Sequence, residues 1–180
     1  MRRRFMAVFF IAAGALLFIT NASAWWQGYS AAVPLDQHDQ LPKPKRTAAI
    51  GEPIGTLLIP KLNLALPIFH GTEEEQLKKG VGHDVRSALP GERNNVVLSG
   101  HRDTVFQQLG KVGVDDVLIV ATAADTFTYQ VRNVRIVDAE DRTVIVPKPR
   151  PTLTVTTCYP FHFIGNAPKR YVLVAELIRG

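Results

Sequence analysis

Short apolar runs rich in Val, Ile, Thr and Tyr follow one another along the chain from about residue 55 onward, separated by Gly, Pro, Asp and Asn. Such runs are typical of β-strands. The predicted strands are 56–59, 62–69, 95–99, 117–121, 126–137, 143–146, 153–157 and 171–178. Only one short helix is predicted among them, over 72–79, with Thr72 as its N-cap. Many short strands with few helices predict an all-β fold, a closed or nearly closed barrel.

A different pattern opens the chain, where three arginines at positions 2–4 precede an uninterrupted apolar stretch, residues 5–19. Tryptophans follow at positions 25 and 26. Arginines on one side and an aromatic pair on the other predict a signal anchor that spans the membrane over residues 1–26. The alternative is a cleaved secretory signal, because residues 22–24 fit a cleavage site and 5–19 is short for a spanning helix. Both place the remainder outside the cytoplasm.

Residues 27–54 contain several prolines, a few charges and no apolar period. This composition predicts a Pro-rich polar linker. The predicted organisation is therefore a membrane segment (1–26), a linker (27–54) and one β-barrel domain (55–180).

The basic net charge, +5 with a pI near 9.6, originates largely at the N-terminus. Without the arginines at positions 2–4, the chain has 18 basic residues against 16 acidic ones. No stripe of Lys and Arg interleaved with aromatic residues occurs. We therefore expect no role in nucleic-acid binding.

The single cysteine, Cys158, comes at the end of the threonine-rich run 152–157 and before a Tyr-Pro pair. A lone cysteine cannot form an intramolecular disulfide, and an unpaired thiol in an exported protein indicates intermolecular pairing or catalysis. A buried inert cysteine is the alternative. A position where a strand gives way to a turn favours an exposed thiol on a rigid rim, and hence a nucleophile.

Two further side chains are candidates for work beside this thiol. His101 follows a short apolar strand and Gly100, which we expect to let the backbone turn and bring the imidazole to the strand end. Arg170 begins the last strand, so an antiparallel return places it next to Cys158. Its permanent charge suits an oxyanion site. A structural histidine and a solvated arginine are the alternatives.

A metal site is not expected. The spacing of His83, His101 and Cys158 matches no compact zinc-ligand pattern. We interpret His83 as a structural or loop residue, because acid–base work needs only one imidazole near the thiol. No cofactor is predicted.

Taken together, the segments Gly-His-Arg-Asp-Thr at 100–104, Thr-Val-Thr-Thr-Cys at 154–158 and Ala-Pro-Lys-Arg-Tyr at 167–171 resemble those of a sortase, most closely of class D. The resemblance extends over about residues 55–178. Val155 stands where the family often has Leu, a conservative apolar change. The resemblance implies an eight-stranded sortase-like β-barrel with one or two short helices, and places Cys158, His101 and Arg170 at the family's catalytic positions.

It also implies a membrane-anchored, single-pass cysteine transpeptidase with its catalytic domain outside the cytoplasm. The expected substrate is an exported protein with a C-terminal Leu-Pro-x-Thr-Gly or Leu-Pro-x-Thr-Ala sorting motif. The acyl group is expected to pass through a thioester to an amine acceptor, a cell-wall peptide or a pilin lysine. Two alternatives stay open: a cysteine endopeptidase that hydrolyses the thioester, and a non-catalytic β-barrel binding module.

Overall fold

The fold is a closed β-barrel preceded by a long N-terminal helix. The structure is a computed structural model, which describes residues 2–45, 49–162, 165 and 167–180. Residue 1 of the predicted anchor and 46–48 of the predicted linker lie outside the described residues.

Eight strands form the barrel within the described part of the chain. They are β1 (Pro53–Ile59), β2 (Leu64–His70), β3 (Val81–His83), β4 (Asn95–Ser99), β5 (Val117–Ala121), β6 (Thr126–Asp138), β7 (Thr152–Tyr159) and β8 (Lys169–Arg179). Their order around the barrel is β1-β2-β3-β4-β7-β8-β6-β5, and β5 closes onto β1. The pairs β2–β3 and β4–β7 are parallel and the others are antiparallel. The predicted all-β barrel is confirmed.

The barrel interior is filled by aliphatic side chains from every long strand. Fully buried examples are Leu57, Leu66, Leu98, Leu118, Leu153 and Leu173. These residues belong to the apolar runs that predict the strands, and their burial supplies the main driving force for closing the sheet.

The predicted strand 143–146 is wrong, because these residues form turns. Val144 is buried, but it packs with Val137 and Val172 in a small second cluster outside the barrel. The Asn95 Nδ2 group donates to the carbonyls of Val144 (3.4 Å) and Val146 (3.0 Å). A side chain therefore satisfies backbone groups that a strand would pair with a neighbour.

The sequence prediction missed β3, which has only three residues. A Cβ added to Gly82 would lie 2.6 Å from the Gly71 carbonyl oxygen. Glycine is required by this close approach of two backbones, and it carries little β-propensity, which hid the strand.

Helix α1 (Arg2–Ser30) includes a segment, Phe9–Ser30, that is long and apolar enough to cross a membrane. Its last turn reaches the barrel, because Gly28 is buried and a Cβ there would lie 3.0 Å from Thr104 Oγ1. Val33 then bonds to Ala65 of β2 in both directions. A 3₁₀-helix over Leu35–Gln40 follows. The start of the predicted linker is thus held on the barrel wall.

The short helix α2 (Glu74–Lys79) begins two residues later than predicted, with Glu73 at the N-cap. Thr72 is therefore not the capping residue. The glutamates of its first turn are matched by lysines one turn on, in the pairs Glu74–Lys78 and Glu75–Lys79. Helix α2 lies beside β2, β3 and the end of α1, next to His101.

Candidate active site

Cys158 lies near the end of β7, where the strand leaves the packed wall of the barrel. The residues before it on β7 are mostly buried, whereas Cys158 is half-buried and its thiol is free. Strand β7 is held on one side by β4 and on the other by β8. The half-buried thiol thus lies near the end of a strand that is paired on both sides.

Arg170, on β8, is the direct Cα partner of Cys158 in the antiparallel pairing with β7. Opposite residues of such a pair project from the same face of the sheet, with Cβ atoms about 5 Å apart. The two strand ends therefore meet as the sequence predicts. The Arg170 Nη1 group donates to the carbonyls of Ala167 (3.2 Å) and Lys169 (3.1 Å).

His101 reaches the site from the end of β4, which runs parallel to β7. Ser99 pairs with Thr156, and the Gly100 N–H donates to the Thr156 carbonyl at 3.2 Å. The Thr157 hydroxyl donates to the Gly100 carbonyl at 2.8 Å. If this register is continued by two positions, the backbone of His101 falls opposite that of Cys158.

Gly100 serves a different purpose from the one expected. Its φ does not lie in the positive region, so no special turn requires glycine. A Cβ at this position would lie 2.6 Å from two ring atoms of Phe106, a buried residue. Glycine is present because the Phe106 ring packs against the backbone just before His101.

A carboxylate that the sequence alone did not point to faces the imidazole. Glu74 Oε2 lies 3.4 Å from His101 Nε2, and the His101 side chain is 37% exposed. Glu74 appears in the sequence as an ordinary acidic residue of a helix first turn. Its proximity to His101 depends on how α2 packs, which no local pattern signals.

Arg102 is a second functional candidate that sequence reasoning missed, although it lies in the Gly-His-Arg-Asp-Thr segment. It is only 5% exposed. Its Nε and Nη2 groups donate to the Asp103 carboxylate at 2.9 and 3.1 Å, and its Nη1 donates to the Pro160 carbonyl at 2.9 Å. The hydrogen bond to Asp103 raises the pKa of Arg102 against the effect of burial, and charges on Asp103 and Cys158 add to the rise.

His83 does not join this group. It is fully buried, and its Nε2 donates to the Ala88 carbonyl at 2.8 Å. Its Nδ1 lies 3.0 Å from Nδ1 of His70, so His70 is the donor in that bond. Both ring nitrogens of His83 are therefore engaged in hydrogen bonds inside the fold. Among the described residues, no group of three His, Cys, Asp or Glu side chains is arranged to hold a metal ion.

The cleft beside His101 lies between the end of α1 and the barrel. Asn21 and Trp25 of α1 line one wall, and Glu74, His101 and Asp103 line the other. Helix α1 thus forms part of the boundary of the cleft next to His101.

The ends of β7 and β8 and the segment that follows β4 thus bring a cysteine, an arginine and a histidine to the same end of the barrel. A thiol can act as a nucleophile, an imidazole as acid and base, and a guanidinium as a donor to an oxyanion. The arrangement suits acyl transfer.

The sortase domain model matches residues 57–178, which include all of these side chains. The chain belongs to the sortase family. The match begins within β1 and ends within β8, so it covers the barrel and leaves out α1.

Among sortases of known sequence, the chain is similar to sortase D of Bacillus subtilis, with 43% identity over 129 residues. This alignment covers 71% of the chain and 65% of the length of that relative. The chain therefore spans slightly less than two-thirds of the Bacillus subtilis protein.

Two solved sortase structures are also similar. The catalytic domain of Bacillus anthracis SrtD is 42% identical with a TM-score of 0.65, over 76% of this chain and 95% of that one. A Clostridium perfringens sortase D5 transpeptidase is 27% identical with a TM-score of 0.68, over 74% and 83% of the two chains. These similarities agree with a sortase of class D type.

Proposed function

We propose that this protein is a membrane-anchored cysteine transpeptidase of the cell envelope, with Cys158, His101 and Arg170 as its catalytic residues. The observation that carries the proposal is the cross-strand pairing of Cys158 with Arg170, beside the β4 end that bears His101. Each of the three groups needed for acyl transfer to and from sulfur is supplied from a separate strand end.

In the first half-reaction, the Cys158 thiolate attacks the carbonyl carbon of the threonine in a Leu-Pro-x-Thr-Gly or Leu-Pro-x-Thr-Ala motif. The carbonyl oxygen becomes an oxyanion, which accepts hydrogen bonds from the Arg170 guanidinium. As the tetrahedral intermediate collapses, protonated His101 gives its proton to the departing amine. The peptide bond is broken, and the threonine carbonyl is held as a thioester on Cys158.

In the second half-reaction, an amine from a cell-wall peptide or a pilin lysine attacks the thioester. His101 takes the proton that this amine loses, and Arg170 again stabilises the oxyanion. Collapse forms the new amide bond and releases the Cys158 thiolate. The imidazole ends protonated, ready for another first half-reaction.

The N-terminal helix fits this role. Anchoring by α1 as a single pass would keep the barrel on the outer face of the membrane, where exported substrates emerge. Confinement to one surface raises the effective concentration of enzyme and substrate without any new contact. The packing of Gly28 against Thr104 keeps the end of the anchor near the site.

The proposal is tested with the full chain in detergent micelles and a peptide containing the sorting motif. Products are separated by mass, with and without triglycine or hydroxylamine as the amine. A transpeptidase gives the amine adduct, and a brief incubation without amine leaves the acyl group on Cys158. A product that is always the free acid identifies an endopeptidase instead.

A matched variant, Cys158→Ala, separates catalysis from binding. We expect it to retain peptide binding, measured by fluorescence anisotropy, and to yield no product. Binding by both proteins with no cleavage by either one would identify a binding module and contradict the proposal.

A further inference from the structure

Arg102 is unusually buried for an arginine, because only 5% of its surface is exposed to solvent. A buried charge is costly unless its hydrogen bonds and its charge are both satisfied. Arg102 meets this condition through the fork of contacts to Asp103 and the single contact to the Pro160 carbonyl.

These contacts join two segments that are distant in sequence. Asp103 is two residues beyond His101, and Pro160 is two residues beyond Cys158. The guanidinium therefore connects the backbone just after the imidazole to the backbone just after the thiol. Upstream of the two reactive side chains, the β4–β7 ladder already holds the same two segments together. Arg102 provides the link on the downstream side.

We propose that Arg102 is a positioning residue that fixes the Cys158 turn against the His101 segment and sets a permanent positive charge close to the reacting sulfur. Only arginine supplies both functions, because its planar fork binds a carboxylate with two N–H groups while a third points elsewhere. The expected effect of Arg102 on the catalytic rate rests on the proposed function. The expected effect on the reactivity of the Cys158 thiol does not, because that reactivity can be measured without any substrate.

The charge on Arg102 acts on the sulfur as well as on Asp103. A negative charge on Cys158 contributes to raising the pKa of Arg102, after the hydrogen bond and charge of Asp103. This interaction is mutual, so removal of the guanidinium removes a favourable partner of the thiolate.

The test compares Arg102→Met, which loses charge and contacts, with Arg102→Lys, which keeps the charge but lacks the fork. Arg86→Met is the matched control. Arg86 binds Asp84 through the same two-pronged pair, at 3.2 and 3.0 Å, but its side chain is 79% exposed and its guanidinium bonds only within its own turn among the described residues.

The first measurement is the rate of Cys158 alkylation by iodoacetamide as a function of pH, on the full chain in micelles. We expect Arg102→Met to need a higher pH than wild type to reach the same alkylation rate, because the thiolate loses a nearby positive charge, and Arg102→Lys to follow the wild-type profile. The second is kcat with the motif peptide, which we expect to fall by roughly 10- to 100-fold in both variants, because small misplacements of reacting groups are costly. Arg86→Met should behave as wild type in both assays.

A folded Arg102→Met protein with a wild-type alkylation profile and wild-type kcat would overturn the proposal. If Arg102→Met fails to fold, the test depends on Arg102→Lys. A wild-type kcat in Arg102→Lys would also contradict the proposal. Should the wild-type chain itself fail to process the peptide, the proposed function is wrong. The alkylation profile still tests Arg102 in that case.

Discussion

Cys158 and Arg170 are direct cross-strand partners, and the hydrogen-bonded ladder between β7 and β8 fixes this relationship. The pairing continues along both strands from Thr152↔Glu176 to Tyr159↔Lys169. Because the register of a long antiparallel pair is strongly specified, the ladder sets the backbone position of Arg170, and the carbonyls of Ala167 and Lys169 accept hydrogen bonds from its guanidinium. The ladder therefore fixes the backbone from which the guanidinium extends next to the residue that bears the thiol.

This geometry predicts the effect of shortening the arginine. Arg170→Ala should lower kcat by about 100- to 1,000-fold, the usual loss when one oxyanion donor is removed. Arg170→Lys should be intermediate, since lysine retains the charge but not the planar fork. The measurement is the rate of amine-adduct formation at saturating peptide.

The matched control is Arg179→Ala, at the exposed opposite end of the same strand. It should leave kcat unchanged. A similar loss in both variants would mean that the effect arises from the stability of β8 and not from the oxyanion.

Glu74 and His101 provide a second prediction. Glu74→Gln removes the carboxylate that lies 3.4 Å from His101 Nε2. We expect kcat/KM to fall by about fivefold or less, because exposed ion pairs are worth at most about 1 kcal/mol. The difference from wild type should shrink at about 1 M salt, where screening shortens the Debye length to about 3 Å.

Glu75→Gln is the control for this effect. Glu75 occupies the same helix and pairs with Lys79 at 2.7 Å, so its loss perturbs α2 in a similar way without touching His101. An equal reduction in the two variants would show that the helix matters and the carboxylate does not.

The sequence was sufficient to predict the meeting of Cys158 and Arg170, because it follows from two strands and an antiparallel return. The same local signals failed for β3 and for 143–146. In the former, a close backbone approach demands Gly82, and in the latter, a valine-rich segment packs as a turn. β-propensity describes the backbone conformation that a residue prefers, and it does not say which group will form hydrogen bonds with that backbone in the folded protein.

The contacts of Glu74 and Arg102 could not be predicted for a related reason. Each residue has an ordinary local explanation, as a helix first-turn acid or as the basic member of an Arg-Asp pair. Their contacts to His101 and to the Pro160 carbonyl depend on how separate segments pack. Side-chain contacts between elements leave no periodic trace in a single sequence.

Gly100 offers a prediction about stability. The Phe106 ring fills the space that a side chain at this position would need, so Gly100→Ala should lower the free energy of unfolding by about 1 to 3 kcal/mol, as overpacking does. Because His101 is the next residue, kcat should fall as well. Thermal unfolding and kcat are measured on the same preparation.

Gly113→Ala is the comparison for Gly100→Ala. A Cβ at Gly113 would meet nothing within 4 Å, so this variant should match or slightly exceed the wild-type stability. Wild-type stability of Gly100→Ala would show that the Phe106 ring moves aside at no cost.

The buried histidine pair predicts how stability depends on pH. Burial lowers the pKa of His83 from its usual 6.5, and the charge of His70 acts in the same direction. The bond to the Ala88 carbonyl and the carboxylates of Asp84 and Glu92 oppose the shift. Burial also lowers the pKa of His70. The folded protein therefore keeps these rings neutral at a pH where the unfolded chain binds protons.

The sign follows from linkage. Above about pH 6.5, His83 is neutral in both the folded and the unfolded state, and the protein has its full stability with respect to this group. Below that pH the unfolded chain binds a proton that folded His83 does not, so the free energy of unfolding decreases until the pH reaches the lower pKa of the folded state. His83→Gln keeps an amide donor for Ala88 and removes one titrating group, so its free energy of unfolding should fall less between about pH 7.5 and 5.5. The free energy of unfolding is measured by urea unfolding of the full chain in non-ionic detergent, followed by near-UV circular dichroism.

The control is His38→Gln, on the exposed 3₁₀-helix, whose free energy of unfolding should change with pH as in the wild type. Parallel curves for all three proteins would show that the buried histidine pair does not control the acid sensitivity.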